Sequence, residues 1–436
     1  EAKVGIHDDF FRLGGDSLIS IQLVSRLRQR LGLNINVKDI FTYRNIERLY
    51  DQCLSKEISN STKSVIKTEA GILSGEVGLL PIQEWFFNSR FNKLDHWNQA
   101  FIIKTPSLDL SQLKISVARL VEHHDAFRLR YRKDSNINRD STTSSNEEAT
   151  YQYYQYYDSD AKLEELKILD IRNLSAKEDS KEFVSELDNI LTNWQNNFNI
   201  EHGPIYSIVY IHGYEDGSSR IWFALHHLIV DAVSWRILME DLRDIYNGKD
   251  LGPKGSSYRQ WVKAVRDYPT INNNNNEAIV LRLSEQEYWN NILSDYRSNS
   301  RLNNLVISED NRNYSSFILS QEKTQQLIQE SNRAYNTQVN DLLLTALAYA
   351  LSEVSDSKVN YIVLEGHGRE DIDSNIDIAR TVGWFTTMFP VRLGTGTELG
   401  TSIKNIKESL RQVPNKGVGY GSIIGYREDL PRISFN

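Results

Sequence analysis

The sequence contains little of what holds secreted or membrane proteins together. It has a single cysteine, Cys53, so an internal disulfide framework is excluded and a reducing compartment is favoured. It has no run of about 18 apolar residues, which excludes an ordinary membrane-spanning helix. The first ten residues, EAKVGIHDDF, lack the charged and then apolar pattern of a secretory signal. The sequence therefore predicts a cytoplasmic protein.

A concentration of positive charge is missing as well. The 50 Lys and Arg residues and the 58 Asp and Glu residues give a net charge of -8 and are spread without a basic patch. Nucleic acids and anionic membranes attract basic surfaces, so neither is expected as a partner. With 40% hydrophobic and 25% charged residues, the 436-residue chain has the composition of a globular protein of about two to four domains.

A pair of histidines stands in the stretch HHLIVDAVSW at 226–235. The apolar run at 221–225 predicts a buried strand that ends at the histidines, and a helix is predicted to begin near Ser234, whose hydroxyl would cap it. Because histidine titrates near neutral pH, this position suits a general base. The alternative is that the pair is hydrogen bonded in the core. A metal site is disfavoured, because adjacent strand residues point to opposite faces and no further His or Cys lies near.

A carboxylate motif lies further along the chain, where the strand pattern YIVL runs into EGHGRED at 365–371. Glycines on both sides of a histidine predict a sharp backbone turn, which would place Glu365 at a sheet edge. The segment ARTVGWFTTMFPVRL follows at 379–393 and contains Arg380. Taken alone, a single Glu is more often an ordinary surface carboxylate.

The N-terminal segment, residues 1–54, forms a unit of its own in the sequence. Two glycines precede Ser17, and apolar residues then recur at helical spacing, so Ser17 is predicted at the start of a helix. Free N–H groups and the positive end of the helix dipole favour a phosphate there, although Ser17 would serve equally as a simple cap. Residues 55–75 are polar and rich in Ser and Lys, which predicts a linker.

The remainder of the chain alternates between helix and strand patterns, which predicts layered α/β structure. The histidine pair at 123–124 is predicted to cap a helix by contacting its last carbonyls. The tyrosine-rich stretch 151–157 is predicted to be an edge strand or an aromatic surface patch. Residues 134–150 and the run Asn272–Asn276 are predicted to be loops.

The strings DDFFRLGGDSL at 8–18 and VKDIFTYRNIERL at 37–49 resemble a peptidyl carrier domain of a nonribosomal peptide synthetase. The resemblance implies a small all-α four-helix carrier domain at residues 1–54 whose first helix would lie before Glu1. It also implies that a phosphopantetheinyl transferase attaches a 4′-phosphopantetheine arm to Ser17. The thiol of that arm would hold an aminoacyl or peptidyl thioester.

The longer part of the chain resembles an epimerization domain, a relative of the condensation domains of these synthetases. Five motifs stand in the family's order: PIQEWFF, HHLIVDAVSW, YIVLEGHGRE, RTVGWFTTMFPV and PNKGVGYG. EGHGRE, RTVGWFTT and Ala232 are the features that separate it from condensation domains. The resemblance implies an α/β, chloramphenicol-acetyltransferase-like, double-lobed domain, with an N-terminal lobe at 76–250 and a C-terminal lobe at 251–436 that family members continue beyond the last residue.

Epimerization of a tethered residue requires a base on one face of Cα and a proton donor on the other. The resemblance assigns these roles to His227 and Glu365, one from each lobe and each within about 3.2 Å of Cα directly or through one water. Which of the two removes the L-side proton stays open. His226 and Asn436, which matches an Asn in a late motif of the family, are also assigned to the site. Asp231 and Arg380 are assigned structural roles, because in the superfamily an arginine holds this aspartate.

The predicted function is therefore epimerization of a carrier-tethered aminoacyl or peptidyl thioester, from L to a D/L mixture, in antibiotic peptide biosynthesis. Two alternatives remain: a carrier joined to a condensation-type domain that forms peptide bonds, and a docking module without chemistry. The expected partners are an upstream adenylation domain and a downstream condensation or thioesterase domain. The expected cofactor is 4′-phosphopantetheine, without a metal.

Overall fold

The computed structural model of the chain describes residues 4–15, 17–31, 33, 35–55, 66–89, 91–133, 152–178, 180–270, 276–302, 314–426 and 430–436. The predicted loop 134–150, residues 272–275 of the Asn run and residues 56–65 of the predicted linker lie outside these ranges. The chain divides into two compact units. Residues 65–264 with 373–385 are called the histidine unit, and residues 1–64 with 265–372 and 386–436 are called the glutamate unit.

The histidine unit contains a four-stranded sheet in the order β2-β7-β6-β5. Its strands are β2 (Asn98–Pro106), β5 (Lys167–Asp170), β6 (Tyr206–His212) and β7 (Ser218–His226). β7 pairs antiparallel with both β2 and β6, while β5 pairs parallel with β6. The predicted strand before the histidines is confirmed, because β7 ends at His226, opposite Asn98 at the start of β2.

A three-stranded sheet of the same unit has the order β1-β4-β3. Its strands are β1 (Gly75–Glu76), β3 (Leu129–Lys133) and β4 (Tyr153–Tyr157). The tyrosine-rich stretch is therefore the central strand of this sheet, and its prediction as an edge strand or surface patch is wrong. β1 and β3 both pair antiparallel with β4, and the sequence alone does not reveal such long-range partners.

Helices cover the four-stranded sheet and supply its core. The helices of eight or more residues in the described part of this unit are Pro81–Asn88, Leu110–His123, Lys181–Gln195, Ala232–Tyr246 and Tyr258–Asp267, the last of which crosses the unit boundary. In Lys181–Gln195 the side chains of Phe183, Leu187 and Leu191 recur every four residues and are buried. They pack against strand residues that include Val209 and Trp222. This packing follows from the helical spacing of apolar residues in the sequence.

The helix that follows the histidine motif begins at Ala232. Its cap is Asp231, whose Oδ1 accepts a hydrogen bond from the Ser234 N–H at 2.7 Å. The prediction that Ser234 caps the helix is wrong, because the Ser234 hydroxyl donates to the Gly383 carbonyl at 2.8 Å and accepts from the Gly383 N–H at 3.0 Å. The first turn of a helix needs acceptors for its free N–H groups, and Asp231 stands at the position that supplies one.

The larger part of the glutamate unit is a second α/β layer. Its sheet has the order β10-β8-β9, with β8 (Val359–Gly366), β9 (Thr387–Gly394) and β10 (Ser434–Phe435). β9 pairs antiparallel and β10 parallel with β8. The helices in the described residues of this part are Asn276–Asn299, Gln321–Gln325, Val339–Ser355 and Leu399–Arg411. Trp289, Leu344, Ile362 and Phe389 are among the buried residues of one core formed by helices and strands.

Residues 1–54 contribute helices to the same unit. The helices are Ser17–Leu31, Val37–Tyr43 and Ile46–Leu49, followed by a π-helical turn at Tyr50–Leu54. Buried aliphatic side chains on and between these helices form a small core: Ile21, Val24, Ile35, Val37, Ile40 and Leu49. The predicted helix start at Ser17 is confirmed.

The two compact units do not follow the linear lobe boundary expected at residue 250. Residues 373–385, which contain Arg380, pack with residues 65–264. The Ser256 N–H donates to the Asp377 carbonyl at 2.7 Å, and the Tyr258 hydroxyl donates to the Trp384 carbonyl at 2.7 Å.

Candidate active site

His226 is fully buried, and both nitrogens of its ring are occupied. Nε2 lies 2.7 Å from the Leu94 carbonyl, which can only accept, so Nε2 carries the proton. Nδ1 then accepts from the Leu228 N–H at 3.2 Å. Burial lowers the pKa of His226 to about 4. Its contacts are those of a residue that orients the loop, and its assignment as a catalytic residue stays a prediction.

His227 begins a 3₁₀ turn immediately after β7 and is less buried than His226. Its Nε2 lies 2.9 Å from Nε2 of Gln99, a residue of β2. The Trp384 ring lies against the imidazole, with 4.6 Å between ring centroids. Burial lowers the pKa of His227, while the charge of Asp231 acts in the opposite direction. A neutral imidazole is the form that accepts a proton, so these surroundings suit a general base.

Asp231 accepts hydrogen bonds from two segments of the histidine unit. One oxygen accepts from the Ser234 N–H, and the other accepts from the Phe385 N–H at 3.1 Å. The expected pairing with Arg380 is corrected, because the Arg380 guanidinium contacts Glu240 at 2.7 Å and also contacts Asp241. The acidic partners of Arg380 thus lie between two and three turns further along the same helix.

His124, a member of the second histidine pair, contacts Asp241, which is also a partner of Arg380. His124 Nε2 lies 3.0 Å from Asp241 Oδ2, and both side chains are almost fully buried. The capping of helix carbonyls expected for this pair is replaced here by a carboxylate contact. Hydrogen bonds and charge from His124 and Arg380 lower the pKa of Asp241 against the opposing effect of its burial. These residues form an ion-pair cluster that connects three segments of the unit.

Glu365 is the penultimate residue of β8 and is half-buried. One carboxylate oxygen accepts a hydrogen bond from the Ser434 hydroxyl at 3.3 Å. Burial raises the pKa of Glu365, and the Ser434 contact only partly offsets this effect. A raised pKa favours the protonated form of a carboxyl group, which makes it a better proton acceptor than an exposed carboxylate.

The residues that follow Glu365 make a tightly packed loop. A Cβ on Gly366 would come within 2.8 Å of Thr387 Oγ1, and Gly368 has a φ of +66°. His367 Nδ1 accepts from the Arg369 N–H at 3.1 Å, and its Nε2 lies 3.3 Å from Glu370 Oε1. Burial lowers the pKa of His367 to about 3, so the imidazole is neutral at physiological pH and this contact is not an ion pair. The loop is thus held rigidly at the end of β8.

Asn436 lies one residue beyond β10 and is exposed. Phe435 is paired with Leu364 in the parallel register, so the chain runs toward the position of Glu365 as it reaches Asn436. Ser434, on the same strand, makes the contact to the Glu365 carboxylate. The structure therefore brings the C-terminal strand to the strand end that carries Glu365.

The turn before Ser17 requires two glycines, Gly14 for its backbone conformation and Gly15 for lack of space. Gly14 has a φ of +93°, and a Cβ on Gly15 would lie 2.4 Å from a ring carbon of Phe10. The Gly15 N–H donates to the Phe10 carbonyl at 2.9 Å, which closes the turn. Ser17 is the first residue of its helix. A phosphodiester at Ser17 fits this position, because a helix start offers N–H groups and a positive dipole end.

The segment 1–54 contacts the loop that follows Glu365. The Val37 N–H, at the start of a helix, donates to Asp371 Oδ2 at 3.1 Å, and Arg28 lies 3.7 Å from Oδ1 of the same carboxylate. Nζ of Lys416 lies 4.9 Å from the centre of the Phe41 ring and 3.5 Å from Glu370 Oε1. Within the glutamate unit, the loop that follows Glu365 therefore touches the segment 1–54.

Comparison with known proteins now identifies the two parts. Residues 74–431 match the family described as Condensation domain, and residues 1–53 match the one described as Phosphopantetheine attachment site. The chain belongs to the condensation-domain family. A carrier domain followed by a condensation-family domain confirms the predicted nonribosomal peptide synthetase segment and its α/β, chloramphenicol-acetyltransferase-like fold. The attachment-site match confirms 4′-phosphopantetheine as the covalent cofactor.

Similar proteins agree with this family. N-(5-amino-5-carboxypentanoyl)-L-cysteinyl-D-valine synthase of Penicillium rubens is 37% identical over 438 residues, which are 100% of this chain and 11% of that protein. Gramicidin S synthase 1 of Brevibacillus brevis is 36% identical over 435 residues, covering 96% of this chain and 36% of that protein. The condensation-family chain described here thus spans well under half of either relative.

Two solved structures share the fold. The epimerization domain from the third module of tyrocidine synthetase B has a TM-score of 0.62 and 29% identity, covering 85% of this chain and 79% of that one. The condensation domain of the Monacolin K polyketide synthase has a TM-score of 0.61 and 14% identity, covering 82% and 78%, and supports the fold alone. No helix in the described ranges is both long and apolar enough to cross a bilayer.

Several residues that surround the candidate groups could not be assigned to them from the sequence: Gln99, Trp384, Ser434, Asp371 and Lys416. They lie on other strands or loops than the motif residues they contact. Gln99 follows Asn98, which pairs with His226, but that register becomes visible only when β2 and β7 are paired. PNKGVGYG was recognised as a motif, although nothing in the string indicates that Lys416 contacts Glu370.

Proposed function

We propose that this protein epimerises an aminoacyl or peptidyl thioester, tethered to its own carrier domain, at the Cα carbon. The product is a D/L mixture that a downstream condensation or thioesterase domain receives. The reaction moves one proton off Cα and returns one to the opposite face, so its balance needs no oxidant, reductant or metal. The thioester carbonyl delocalises the negative charge formed in between.

Glu365 carries this proposal. Its carboxyl group stands near a strand end, half-buried, with a pKa raised by burial, which favours acceptance of a proton by the carboxylate. EGHGRE, which contains Glu365, is also the motif that separates epimerization domains from condensation domains in the resemblance. The likeness to the epimerization domain of tyrocidine synthetase B, at 29% identity, supports the same conclusion.

His227 is proposed as the second proton-transfer group. Burial keeps its imidazole neutral, and its neighbour His226 is fully engaged with the Leu94 carbonyl and the Leu228 N–H. The two groups together would supply a separate acid and base for the two faces of one carbon. Asn436 is proposed to stabilise the enolate oxygen with its amide, which is a donor of the right kind.

The domain assignment and partners follow from this function. Residues 1–54 act as the carrier, with Ser17 as the attachment residue, and the arm supplies the thiol that holds the substrate. A phosphopantetheinyl transferase installs the arm, and an upstream adenylation domain loads it. The carrier lies in the N-terminal part of the chain, His227 belongs to the histidine unit and Glu365 to the glutamate unit.

The proposal is tested by deuterium exchange. A phosphopantetheinyl transferase loads the protein with an L-valyl-pantetheine arm from L-valyl-coenzyme A, and the loaded protein is incubated in D₂O. L-Valine is chosen because the name of the relative from Penicillium rubens contains D-valine. We expect one deuterium at Cα and a D/L mixture after release. A released valine that is fully L, with protium at Cα, would contradict epimerization of this substrate. The experiment is then repeated with a peptidyl arm that ends in L-valine. Unchanged Cα with both arms would overturn the proposed function.

Substitutions then test the two proton-transfer groups. Glu365→Gln and His227→Gln are each expected to lower the epimerization rate by about 100-fold or more, because general acid–base groups contribute on this scale. Glu353→Gln, an exposed carboxylate on a helix of the same unit, serves as the matched control and is expected to keep the wild-type rate. Loading each variant with L-valyl and with D-valyl arms shows which face depends on which group.

A further inference from the structure

Gln99 links His227 to the indole of Trp235. The Trp235 Nε1–H donates to Gln99 Oε1 at 2.8 Å, and Gln99 Nε2 lies 2.9 Å from His227 Nε2. An indole nitrogen is only a donor, whereas a side-chain amide has one accepting oxygen and one donating nitrogen. The contact with Trp235 therefore fixes which end of the amide faces the imidazole.

The donor end of Gln99 points at His227. If the amide were turned over, its NH₂ group would face the indole N–H, and two donors would meet without an acceptor. The amide N–H must instead find a lone pair on His227 Nε2, so this nitrogen carries no proton. In a neutral imidazole the proton then sits on Nδ1. Nδ1 is buried, and the backbone carbonyls of His227 itself and of Val230 are the groups that favour a proton on the ring.

We propose that Trp235 and Gln99 hold His227 as the tautomer with its proton on Nδ1 and its lone pair on Nε2, and that Gln99 is a positioning residue for proton transfer at His227. The role in proton transfer rests on the proposed epimerization, whereas the tautomer does not. Gln99 touches the imidazole and not the substrate carbon, so it acts through His227.

The surrounding elements keep the three side chains in place. Gln99 lies in β2, paired with Leu225 of β7, and the His227 N–H donates to the Trp97 carbonyl at 2.8 Å. The Trp235 ring packs edge-on against Phe101 of the same strand, with 4.5 Å between centroids. Strand pairing and ring packing therefore set the positions from which the amide and the indole act.

The arrangement also opposes formation of an imidazolium. A proton on Nε2 would face the Gln99 N–H, and burial of the ring acts in the same direction. The carboxylate of Asp231 favours the charged ring, while a protonated His226 would disfavour it. His227 is thus held as a neutral imidazole whose one lone pair, on Nε2, is hydrogen bonded to Gln99, and this contact has to open before Nε2 accepts a proton.

The tautomer is read directly by nitrogen NMR. The full chain is labelled with ¹⁵N-histidine, and the His227 signals are assigned by their absence in His227→Gln. At pH 7 we expect a protonated Nδ1 and an unprotonated Nε2. A protonated Nε2 in the wild-type protein would overturn the inference, whatever the protein does to a thioester.

Two variants test the cause. In Trp235→Phe the amide of Gln99 is free to turn, so its oxygen can accept from a protonated Nε2. In Gln99→Glu a carboxylate replaces the side-chain amide. We expect the His227 pKa and the acid limb of the epimerization pH profile to rise by about one unit in the first variant and by more in the second. Trp194→Phe and Gln112→Glu, which lie on other helices of the unit, are expected to leave both unchanged.

The results separate two failures. An unchanged His227 pKa in both variants would show that the relay does not control the imidazole, even if epimerization is observed. Absence of epimerization with the expected tautomer and pKa shifts would count against the proposed function and leave the relay intact. If one variant fails to fold, the other variant and the wild-type tautomer still decide the question.

Discussion

Asp231 gives one carboxylate to two backbone donors. It caps the helix Ala232–Tyr246 through the Ser234 N–H and also accepts from the Phe385 N–H, which belongs to residues 373–385 of the histidine unit. The side chain is 4% exposed, so water does not readily replace either contact. A buried carboxylate in this position therefore holds the histidine loop against a distant segment of the chain.

Asp231→Ala is expected to lower the folded yield before it alters stereochemistry. Loss of the cap costs about 1 kcal/mol, and a buried N–H left without an acceptor costs about 1–3 kcal/mol, so the free energy of unfolding should fall by about 2–4 kcal/mol. The measurement is urea unfolding of the purified full chain. Soluble Asp231→Ala with a wild-type midpoint and a selective loss of epimerization would contradict this structural role.

Asp109→Ala is the matched control. Asp109 also caps a helix, through the Gln112 N–H at 2.7 Å, but it lies at the surface, and its carboxylate bonds to no second segment in the described part of the chain. We expect only the cap contribution there, about 1 kcal/mol. A similar loss in both variants would show that the Phe385 contact contributes little.

At the scale of elements, strand β8 and its loop join chemistry to carrier contact. Glu365 is the penultimate residue of the strand, and Asp371 in the following loop accepts from the first N–H of the carrier helix Val37–Tyr43. The helix dipole and the nearby Arg28 both favour a negative charge at this point. The contact therefore depends on charge as well as on hydrogen bonding.

Asp371→Ala is expected to weaken the contact between the carrier and this loop. A hydrogen bond to a charged group contributes about 1.5–3 kcal/mol, so the population of carrier in this position should fall by about tenfold or more. The measurement is the amide chemical shift of Val37 and the NMR line widths of carrier residues in the full chain.

Asp373→Ala is the matched control, because Asp373 lies two residues after Asp371. Asp373 pairs with Lys67 at 3.3 Å in the histidine unit and does not bond to the helix Val37–Tyr43. It should leave the Val37 amide unchanged. Carrier signals that respond equally to both substitutions would contradict a specific contact of Asp371.

Local elements were predictable where the signal is periodic. The helix Val339–Ser355 and the strand before the histidines follow directly from apolar spacing, and the helix start at Ser17 follows from the glycines and apolar residues around it. Partners across the chain were not predictable. Arg380 finds Glu240 and Asp241, and Gln99 finds His227, because packing brings together residues that are distant in sequence.

The division of the whole chain into two compact units was not predictable from the sequence either. A linear boundary near residue 250 assumes that a lobe is continuous, yet residues 373–385 pack with residues 65–264. Short return segments of this kind carry no composition signal. Their effect is visible at the site, because Gly383, Trp384 and Phe385 contact the histidine motif and its helix.

Across the whole molecule, buried histidines couple stability to pH. Burial lowers the pKa of His226 from 6.5 to about 4, so below pH 6.5 the unfolded chain binds a proton that the folded chain does not. The stability is complete above pH 6.5 and is lost as the pH falls toward 4. For His226 alone, the loss between pH 7 and pH 5 should be about 2 kcal/mol. His367, with a pKa lowered to about 3, adds a contribution of the same sign.

His226→Gln tests this coupling, because an amide can still donate to the Leu94 carbonyl but does not titrate. Urea unfolding at pH 7 and pH 5, followed by tryptophan fluorescence, should show a smaller loss of stability on acidification in the variant than in the wild type, by about 2 kcal/mol. His202→Gln, an exposed histidine of the same unit, should keep the wild-type dependence. An equal loss in His226→Gln and wild type would mean that His226 accepts a proton in the folded protein, and its two hydrogen bonds would then not hold it neutral.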